Sequence, residues 1–479
     1  MVNYETIIGL EVHVQLATQS KAFCGDATTF GADPNTQISP VSLAYPGTLP
    51  RANARHIELA VRLGLALGCQ INVENTFDRK NYFYADLPKG YQITQDRAPI
   101  CLGGALAVRL GEEWKTIGIH HIHMEEDAGK SIHTELPRHS LIDLNRAGVP
   151  LLEIVTEPDL RSAEEVDAFM SGMRQLVRYL EVSDGNMEQG SLRCDINVSI
   201  RPQGETALRE RCEIKNINSM RYARQAIAYE VKRQVALVES GQQVQQQTLN
   251  FDPETGRTSP LRDKEDAHDY RYFPEPDLPP VVLDDAYLER IKATLPPLPQ
   301  ALYHQFVDEY GLSAYDTSLL TEERDTAELF LSLCGQYDNA KGLANLIINR
   351  LFSWCQEQQI TLGDLGVSPA QLVAFQQMID EGKVSNSVAY QRVFPAWMDE
   401  PNQPPLVVAE KLNLIQTSDT AYLEQLAREV LDSFPDKVAA YRKGKKGLLG
   451  FFMGQLMRAS KGKADPKIGN TLLRKLLEE

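Results

Sequence analysis

Cysteine is sparse and unpatterned in this chain. Cys24, Cys69, Cys101, Cys194, Cys212, Cys334 and Cys355 include no C-x-x-C pair, and their number is odd. A disulfide scaffold or a cysteine zinc site is therefore not expected, and free buried thiols are. Long apolar runs are missing too. Nothing approaches the ~18 residues of a membrane span. The opening "MVNYETIIGLEVHVQL" lacks the basic, apolar, then small-residue layout of a secretory signal. A cytoplasmic protein without a membrane partner is expected. Positive charge is also short. The formal net charge of −16 argues, taken alone, against nucleic acid as a partner. The shortage is uneven, because Lys437, Arg442, Lys443, Lys445, Lys446, Arg458, Lys461, Lys463, Lys467, Arg474 and Lys475 stand against Asp465 alone. That stretch is either a solvated helix face or a contact to a phosphate backbone.

One missing glycine decides a motif. "HMEEDAGKS", 123–131, ends like a phosphate-binding P-loop, but the first glycine of that pattern would fall at Met124. Three carboxylates, Glu125, Glu126 and Asp127, stand where phosphate would be cradled. They repel phosphate unless a metal lies between, so the stretch reads as a metal site.

What is present suggests roughly three domains over 479 residues. "TIIGLEVHVQL" alternates, with Leu10, Val12, Val14 and Leu16 on one strand face and Glu11, His13 and Gln15 on the other. "SLRCDINVSIR" repeats this, with Arg193, Asp195 and Asn197 turned away from the apolar face. Helices are expected after Ser162, with Glu165 completing a capping box, and from Ser219 to a stop at Gly241. "GQQVQQQTLNFDPETGRTSPLRDKEDAHDYRYFPEPD" reads as a long polar excursion with a hairpin. Proline-rich stretches near 285 and 295–300 end this unit; helical patterning follows, "DEPNQPPL" at 399–406 reads as a linker, and the basic tail is helical. The expected fold is α+β: a mixed-sheet domain over 1–290, a helical domain over 291–403 and a helical tail domain over 404–479.

Several segments carry candidate chemistry. Glu11 and His13 project from one strand face. Of the neighbours Glu125 and Glu126, one at most joins that site directly. Arg193 and Asp195 share a face. Carboxylates with a neutral imidazole suit a hard cation such as Mg²⁺. "HHIH", 120–123, is a weak zinc signal without a third ligand. "FDRKNYFYADLPKGYQITQ", 77–95, interleaves Arg79, Lys80 and Lys89 with Tyr82, Phe83, Tyr84 and Tyr91. Cations suit phosphates and rings suit a base. A buried aromatic strand with an ordinary turn is the plain alternative. "SLIDLNRAGVPLLEIVTEPDL" embeds Asp143, Asn145, Arg146, Glu153 and Glu157 among apolar residues, which implies a polar network.

Taken together, "IGLEVHVQL", "FDRKNYFYADLPKGYQITQ", "HMEEDAGKS", "LIDLNRAGVPLLEIVTEPD", "GSLRCDINVSIRP", "EIKNINS" and "DYRYFPEPDLPP", in this order, resemble the B-subunit family of bacterial and organellar aspartyl/glutamyl-tRNA amidotransferases. The resemblance runs from residue 3 to "KGKADPKIGNTLLRKLL". It implies a heterotrimer in which an amidase A subunit makes ammonia from glutamine and a small C subunit straps the other two together. It implies that the B subunit uses ATP and Mg²⁺ to phosphorylate the side chain of Glu on the glutamine tRNA, or Asp on the asparagine tRNA. Ammonia then displaces phosphate. The family's metal residues fall on Glu11, His13 and Glu126, with Asp195 a further candidate. Lys80, Lys89, Ser191 and Arg193 match positions for phosphate and substrate contact, and Glu125 supports them. Some members carry a zinc cluster patterned C-x-C, then C-P-V-C. Here Cys24 is followed by Asp26, Ser39 and Ser42, so no zinc is expected. The competing classes are a non-catalytic RNA adaptor and a zinc hydrolase built on "HHIH".

Overall fold

The computed structural model describes residues 2–133, 139–217, 219–261, 270–416, 420–460 and 463–478. It divides into two compact units, to residue 301 and from residue 302. The first is a mixed sheet with helices and the second is helical, as an α+β reading requires.

The strands of the first unit's two larger sheets are β1 (Tyr4–Gln15), β2 (Gln70–Ile71), β3 (Asp78–Asn81), β4 (Tyr91–Thr94), β5 (Cys101–Leu102), β6 (Ala105–Leu110), β7 (Glu113–Glu126), β8 (Pro150–Thr156), β9 (Leu192–Pro202), β10 (Cys212–Ile217), β11 (Gln247–Asp252), β12 (Arg257–Pro260) and β13 (Arg271–Pro274). Ten of them form one sheet in the order β12-β11-β10-β9-β1-β8-β7-β5-β2, with β6 paired to β7. A separate small sheet runs β13-β3-β4. The pairing is antiparallel throughout, except between β10 and β11. The hairpin expected in the polar excursion is β11 and β12; residues 262–269 of the excursion lie outside the described ones.

Alternation divides the two faces. Ile122, Ile154, Val12 and Cys194 occupy one row across β7, β8, β1 and β9, and all are buried. This apolar face joins the core with α1 (Ala54–Ala66), α2 (Ala163–Tyr179) and α3 (Met220–Glu239), which supply Leu59, Leu63, Phe169, Met173, Ala223 and Ile227. Ser162 Oγ accepts from the Glu165 N–H and Ser219 Oγ from the Tyr222 N–H, so both caps are made. One residue along each strand, the row reads His123, Glu153, His13, Arg193, on the opposite face.

His56 of α1 is fully enclosed, with Nε2 at 3.2 Å from the Leu151 carbonyl. Burial pushes its imidazole down to about 4. The unfolded chain therefore binds the extra proton first, between about pH 6.5 and pH 4. Stability from this group is complete above pH 6.5 and is lost as pH falls through that window, by up to about 3 kcal/mol. His56→Gln keeps a donor and cannot titrate. The expected outcome is a flatter fall of the urea midpoint between pH 7 and pH 5 than in the wild type.

In the second unit, Phe375 stacks parallel on Trp397 with centroids 5.4 Å apart, and Phe394 meets both rings edge-on. The tail helices α4 (Thr420–Asp432), α5 (Pro435–Arg442), α6 (Leu448–Ala459) and α7 (Pro466–Glu478) share a core of Leu423, Ala427, Phe452, Leu456, Leu473 and Leu477. Arg442, Lys443, Lys445, Lys446, Arg458, Lys467, Arg474 and Lys475 are exposed around it; Lys461 lies outside the described residues. Among the described residues no helix is long and apolar enough to cross a membrane.

Candidate active site

The polar rows of the large sheet gather acidic and basic groups that are remote in sequence. β1 lies between β8 and β9, so Glu153 and Arg193 flank His13 directly. His13 Nε2 sits 3.2 Å from Glu153 and 3.8 Å from Glu125. His123 Nε2 is 3.5 Å from each of the same carboxylates. Potential ligand atoms of His13, Glu125 and Glu153 lie within 4.8 Å of one another. Burial alone would deprotonate both rings. The Glu153 and Glu125 charges outweigh it, lifting His13 and raising His123 to about 10. In return, and against its own burial, Glu153 is held well below the usual carboxylate range.

A second cluster lies one step along. Glu11 faces Asp195 across the β1–β9 ladder, and Glu213 of β10 joins them within the same 4.8 Å limit. Asn197 Nδ2 donates to Glu11 at 3.0 Å, and Lys215 sits 2.9 Å from Glu213 and 3.5 Å from Asp195. Burial, together with the charges of Glu153, Glu213 and Asp195, raises Glu11 above its ordinary range. Burial also raises Asp195, in spite of Lys215. Carboxylates kept together at such cost are a fitting seat for a divalent cation, which relieves their repulsion.

Cations frame these rows. Arg193 Nη2 donates to Asp127 at 2.8 Å, and Gln15 donates to the same oxygen at 2.7 Å. Burial opposes the Asp127 charge, but Arg193 and Arg146 hold that carboxyl below its usual range. Arg193 Nε is buried without a hydrogen-bond partner among the described residues. Burial would lower Lys80 of β3, yet the charges of Glu125 and Glu153 raise it above the ordinary lysine range. Ser191 precedes β9, and its carbonyl accepts from the Gln15 N–H at 2.8 Å.

Glu126 is placed elsewhere. As the neighbour of Glu125 on a strand it turns the other way, where Lys89 and the Ile93 N–H, at 2.9 Å, bind one of its oxygens. Glu126 and Lys89 line a cavity of about 220 Å³ with Lys21, Phe23, Cys24 and Tyr91. Gly148, at φ +88°, closes this side; a Cβ there would meet the Lys21 side chain at 3.3 Å and Glu126 at 3.7 Å. The structure thus brings Glu11, His13, Glu125, Arg193 and Asp195 to one face, leaves Lys80 on the separate small sheet, and sets Glu126 and Lys89 apart.

Three further site residues, Glu153, Glu213 and His123, were not singled out as ligands from sequence. Glu153 had a signal as a polar residue inside an apolar strand, and His123 as half of the "HHIH" pair. Glu213 had none. The remaining polar groups of the 140–160 stretch act as a clamp: Arg146 donates to the carbonyls of Ala128 and Gly129, and Asn145 to that of Asp33. The Gly129 N–H donates to the Asp86 carbonyl at 2.9 Å, so no P-loop cradle is formed. At the zinc-pattern positions, Ser42 donates to Asp26 at 2.6 Å and accepts from the Ser39 N–H at 2.9 Å, which ties the loop by hydrogen bonds.

Residues 6–289 match the family model described as the GatB/GatE catalytic domain, and residues 328–477 match that of the GatB domain. The chain is 47% identical to the B subunit of the aspartyl/glutamyl-tRNA(Asn/Gln) amidotransferase of Salinibacter ruber, over 99% of this chain and 97% of the relative. It is 47% identical to that of Geobacter sulfurreducens, over 99% and 100%. It is 48% identical to that of Myxococcus xanthus, over 99% of each.

Proposed function

This chain belongs to the family of aspartyl/glutamyl-tRNA(Asn/Gln) amidotransferase B subunits, and from that membership we propose that its polar sheet face activates the side-chain carboxylate of Glu-tRNA(Gln) or Asp-tRNA(Asn) with ATP. A carboxylate resists ammonia because it is anionic and has no leaving group. Transfer of the γ-phosphoryl group to a carboxylate oxygen breaks the bond to ADP and makes an acyl phosphate. Ammonia then attacks the acyl carbon, phosphate departs with the bonding pair, and the nitrogen loses a proton. The amide remains on the tRNA.

The observation that carries this reading is the pair of oxygen-rich clusters side by side on one sheet face. Both fit Mg²⁺: His13, Glu125 and Glu153 would hold one ion and Glu11, Asp195 and Glu213 another. Such ions neutralise phosphate charge in phosphoryl transfer. The chain's own cations position the substrate. Lys80, kept charged by Glu125 and Glu153, receives a phosphate oxygen. Arg193, anchored on Asp127, keeps a free Nε to orient a carboxylate or phosphate, with Ser191 at the strand entrance. Lys89 spends its charge on Glu126, so the phosphate contact falls to Lys80 and Arg193 instead. Ammonia comes from a glutamine-hydrolysing A subunit, and a small C subunit completes a cytoplasmic heterotrimer. The assembled enzyme, given ATP, Glu-tRNA(Gln) and hydroxylamine but no glutamine, should release ADP and form a glutamyl hydroxamate on the tRNA. Absence of both products defeats the reading.

The exposed cations of the tail give this acidic chain its basic surface for tRNA. Burying Phe452, Leu456, Leu473 and Leu477 inside leaves the lysines and arginines outside. Lys445→Glu with Lys446→Glu changes two exposed side chains. It should weaken tRNA binding about tenfold and make the salt dependence of affinity shallower, while hydroxamate formation at saturating tRNA persists. Affinity and salt slope equal to the wild type would make the tail purely structural.

A further inference from the structure

The polar face that carries the first cluster continues outward along β7 to two imidazoles that the proposed reaction leaves unused. Regular antiparallel pairing would set His120 opposite Thr156. Instead Val155 pairs with His121 and Thr156 with Ile119. β7 therefore carries one residue too many, His120, and a bulge of this kind re-aims a side chain. Neighbours on a regular strand point to opposite faces. Here the two rings meet: His120 Nδ1 lies 2.7 Å from His121 Nδ1, with ring centroids 5.0 Å apart. His120 is exposed and His121 half-buried, so the pair opens to solvent on one side.

Burial, with the neighbouring His123 and His120, pushes the His121 imidazole down to about 4, so at neutral pH its lone pair is free. Neutral imidazoles suit transition cations, whereas the carboxylate clusters suit Mg²⁺. Spacing narrows the choice. Two nitrogens 2.7 Å apart, each about 2.0–2.1 Å from one ion, subtend about 80–85° at it. That is close to the right angle of a tetragonal site and far from the wider angle of tetrahedral zinc, so it points to Ni²⁺ or Cu²⁺. The pair also adjoins the first cluster. His121 stacks on His123 with centroids 5.3 Å apart, and His123 Nε2 is 3.5 Å from both Glu125 and Glu153. The Glu153 charge reaches His121 as well.

We propose that His120 and His121 form a nitrogen site for Ni²⁺ or Cu²⁺, and that an ion bound there weakens cation binding at the neighbouring His13–Glu125–Glu153 cluster. Binding stands on the geometry of the pair. The coupling rests on the cation site proposed above: two like charges one ring apart repel, and by linkage each lowers the affinity for the other.

The test uses the assembled enzyme, free of any affinity tag, with Mg²⁺ in excess to fill the oxygen clusters. Ni²⁺ is titrated by calorimetry into wild type, His120→Asn and His121→Asn. Losing a direct ligand costs no less than losing an outer-shell partner, so Kd for Ni²⁺ should rise at least about tenfold in each variant. The electron paramagnetic resonance spectrum of bound Cu²⁺ should show two imidazole nitrogens in wild type and one in His120→Asn. Unchanged Ni²⁺ affinity in both variants, or a Cu²⁺ spectrum that keeps both nitrogens, overturns the site. His120 is at the surface, so its replacement leaves the sheet intact. The coupling is read separately, without Mg²⁺. Ni²⁺ should lower Mn²⁺ affinity at least about fivefold in wild type and not in His120→Asn. An equal fall in the variant would mean direct displacement at the carboxylates and overturns the coupling, as does no fall in wild type. Failure of wild type to bind Mn²⁺ at all counts instead against the cation site proposed above.

Discussion

Replacing Glu125 by glutamine should lower amide formation by the assembled amidotransferase about a thousandfold while glutamine hydrolysis continues. Glu125 is the β7 carboxylate that both His13 and His123 approach, at 3.8 and 3.5 Å, as Glu153 is on β8. Its loss removes charge from the cluster proposed to hold Mg²⁺. A thousandfold corresponds to ~4 kcal/mol of lost transition-state stabilisation, within the range of metal charge neutralisation. His13→Ala and Glu153→Gln should act alike. Divalent-cation affinity, followed by Mn²⁺ binding, should fall at least about tenfold in all three. Glu126→Gln is the informative control. Its carboxylate is engaged by Lys89 and the Ile93 N–H in a different cavity, so Mn²⁺ affinity should stay near wild type. If Glu126→Gln weakens Mn²⁺ and Glu125→Gln does not, the proposed ligand set is wrong.

Glu11→Gln should trade activity for stability. Glu11 shares its space with Asp195 and Glu213, and burial with neighbouring negative charge raises its pKa. Without a cation, that repulsion strains the folded chain. Glutamine fits the same volume, can still accept from Asn197, and removes one charge. The variant measured without divalent cations should therefore gain on the order of 1 kcal/mol, or roughly 2 °C in Tm. Amide formation should fall by about a hundredfold or more, because the second cluster loses an anionic ligand. Added Mg²⁺ should stabilise the wild type more than the variant. A variant less stable than wild type in chelator would show that Glu11 is structurally paired rather than repelled.

The strands and helices of the first unit follow from local pattern. Val12 and Val14 fall on the buried side of β1, as alternation demands, and Leu192, Cys194, Ile196 and Val198 do the same on β9. Ser162 and Ser219 cap the helices whose apolar spacing begins just after them. The tail's basic face was readable for the same reason, since periodicity of 3.6 sorts apolar from charged positions within one helix. Alternation also stated that only one of Glu125 and Glu126 could join His13.

Which one joins is a different kind of fact. It depends on the register of β7 against β8, where Glu153 meets His123 and Leu151 meets Glu125, and on β8 lying beside β1. Glu213 enters only because β10 pairs with β9, and Tyr272 meets Lys80 only because β13 crosses to β3. A strand determines the face on which each of its side chains stands, since that is set by its own backbone. Sharing of space between remote side chains is set by strand order and register, which long-range burial selects. Sequence by itself therefore determined the elements, their faces and the chemical character of the site. The tertiary structure decided the membership of each cluster, because a one-residue change in register would exchange a charged row for an apolar one.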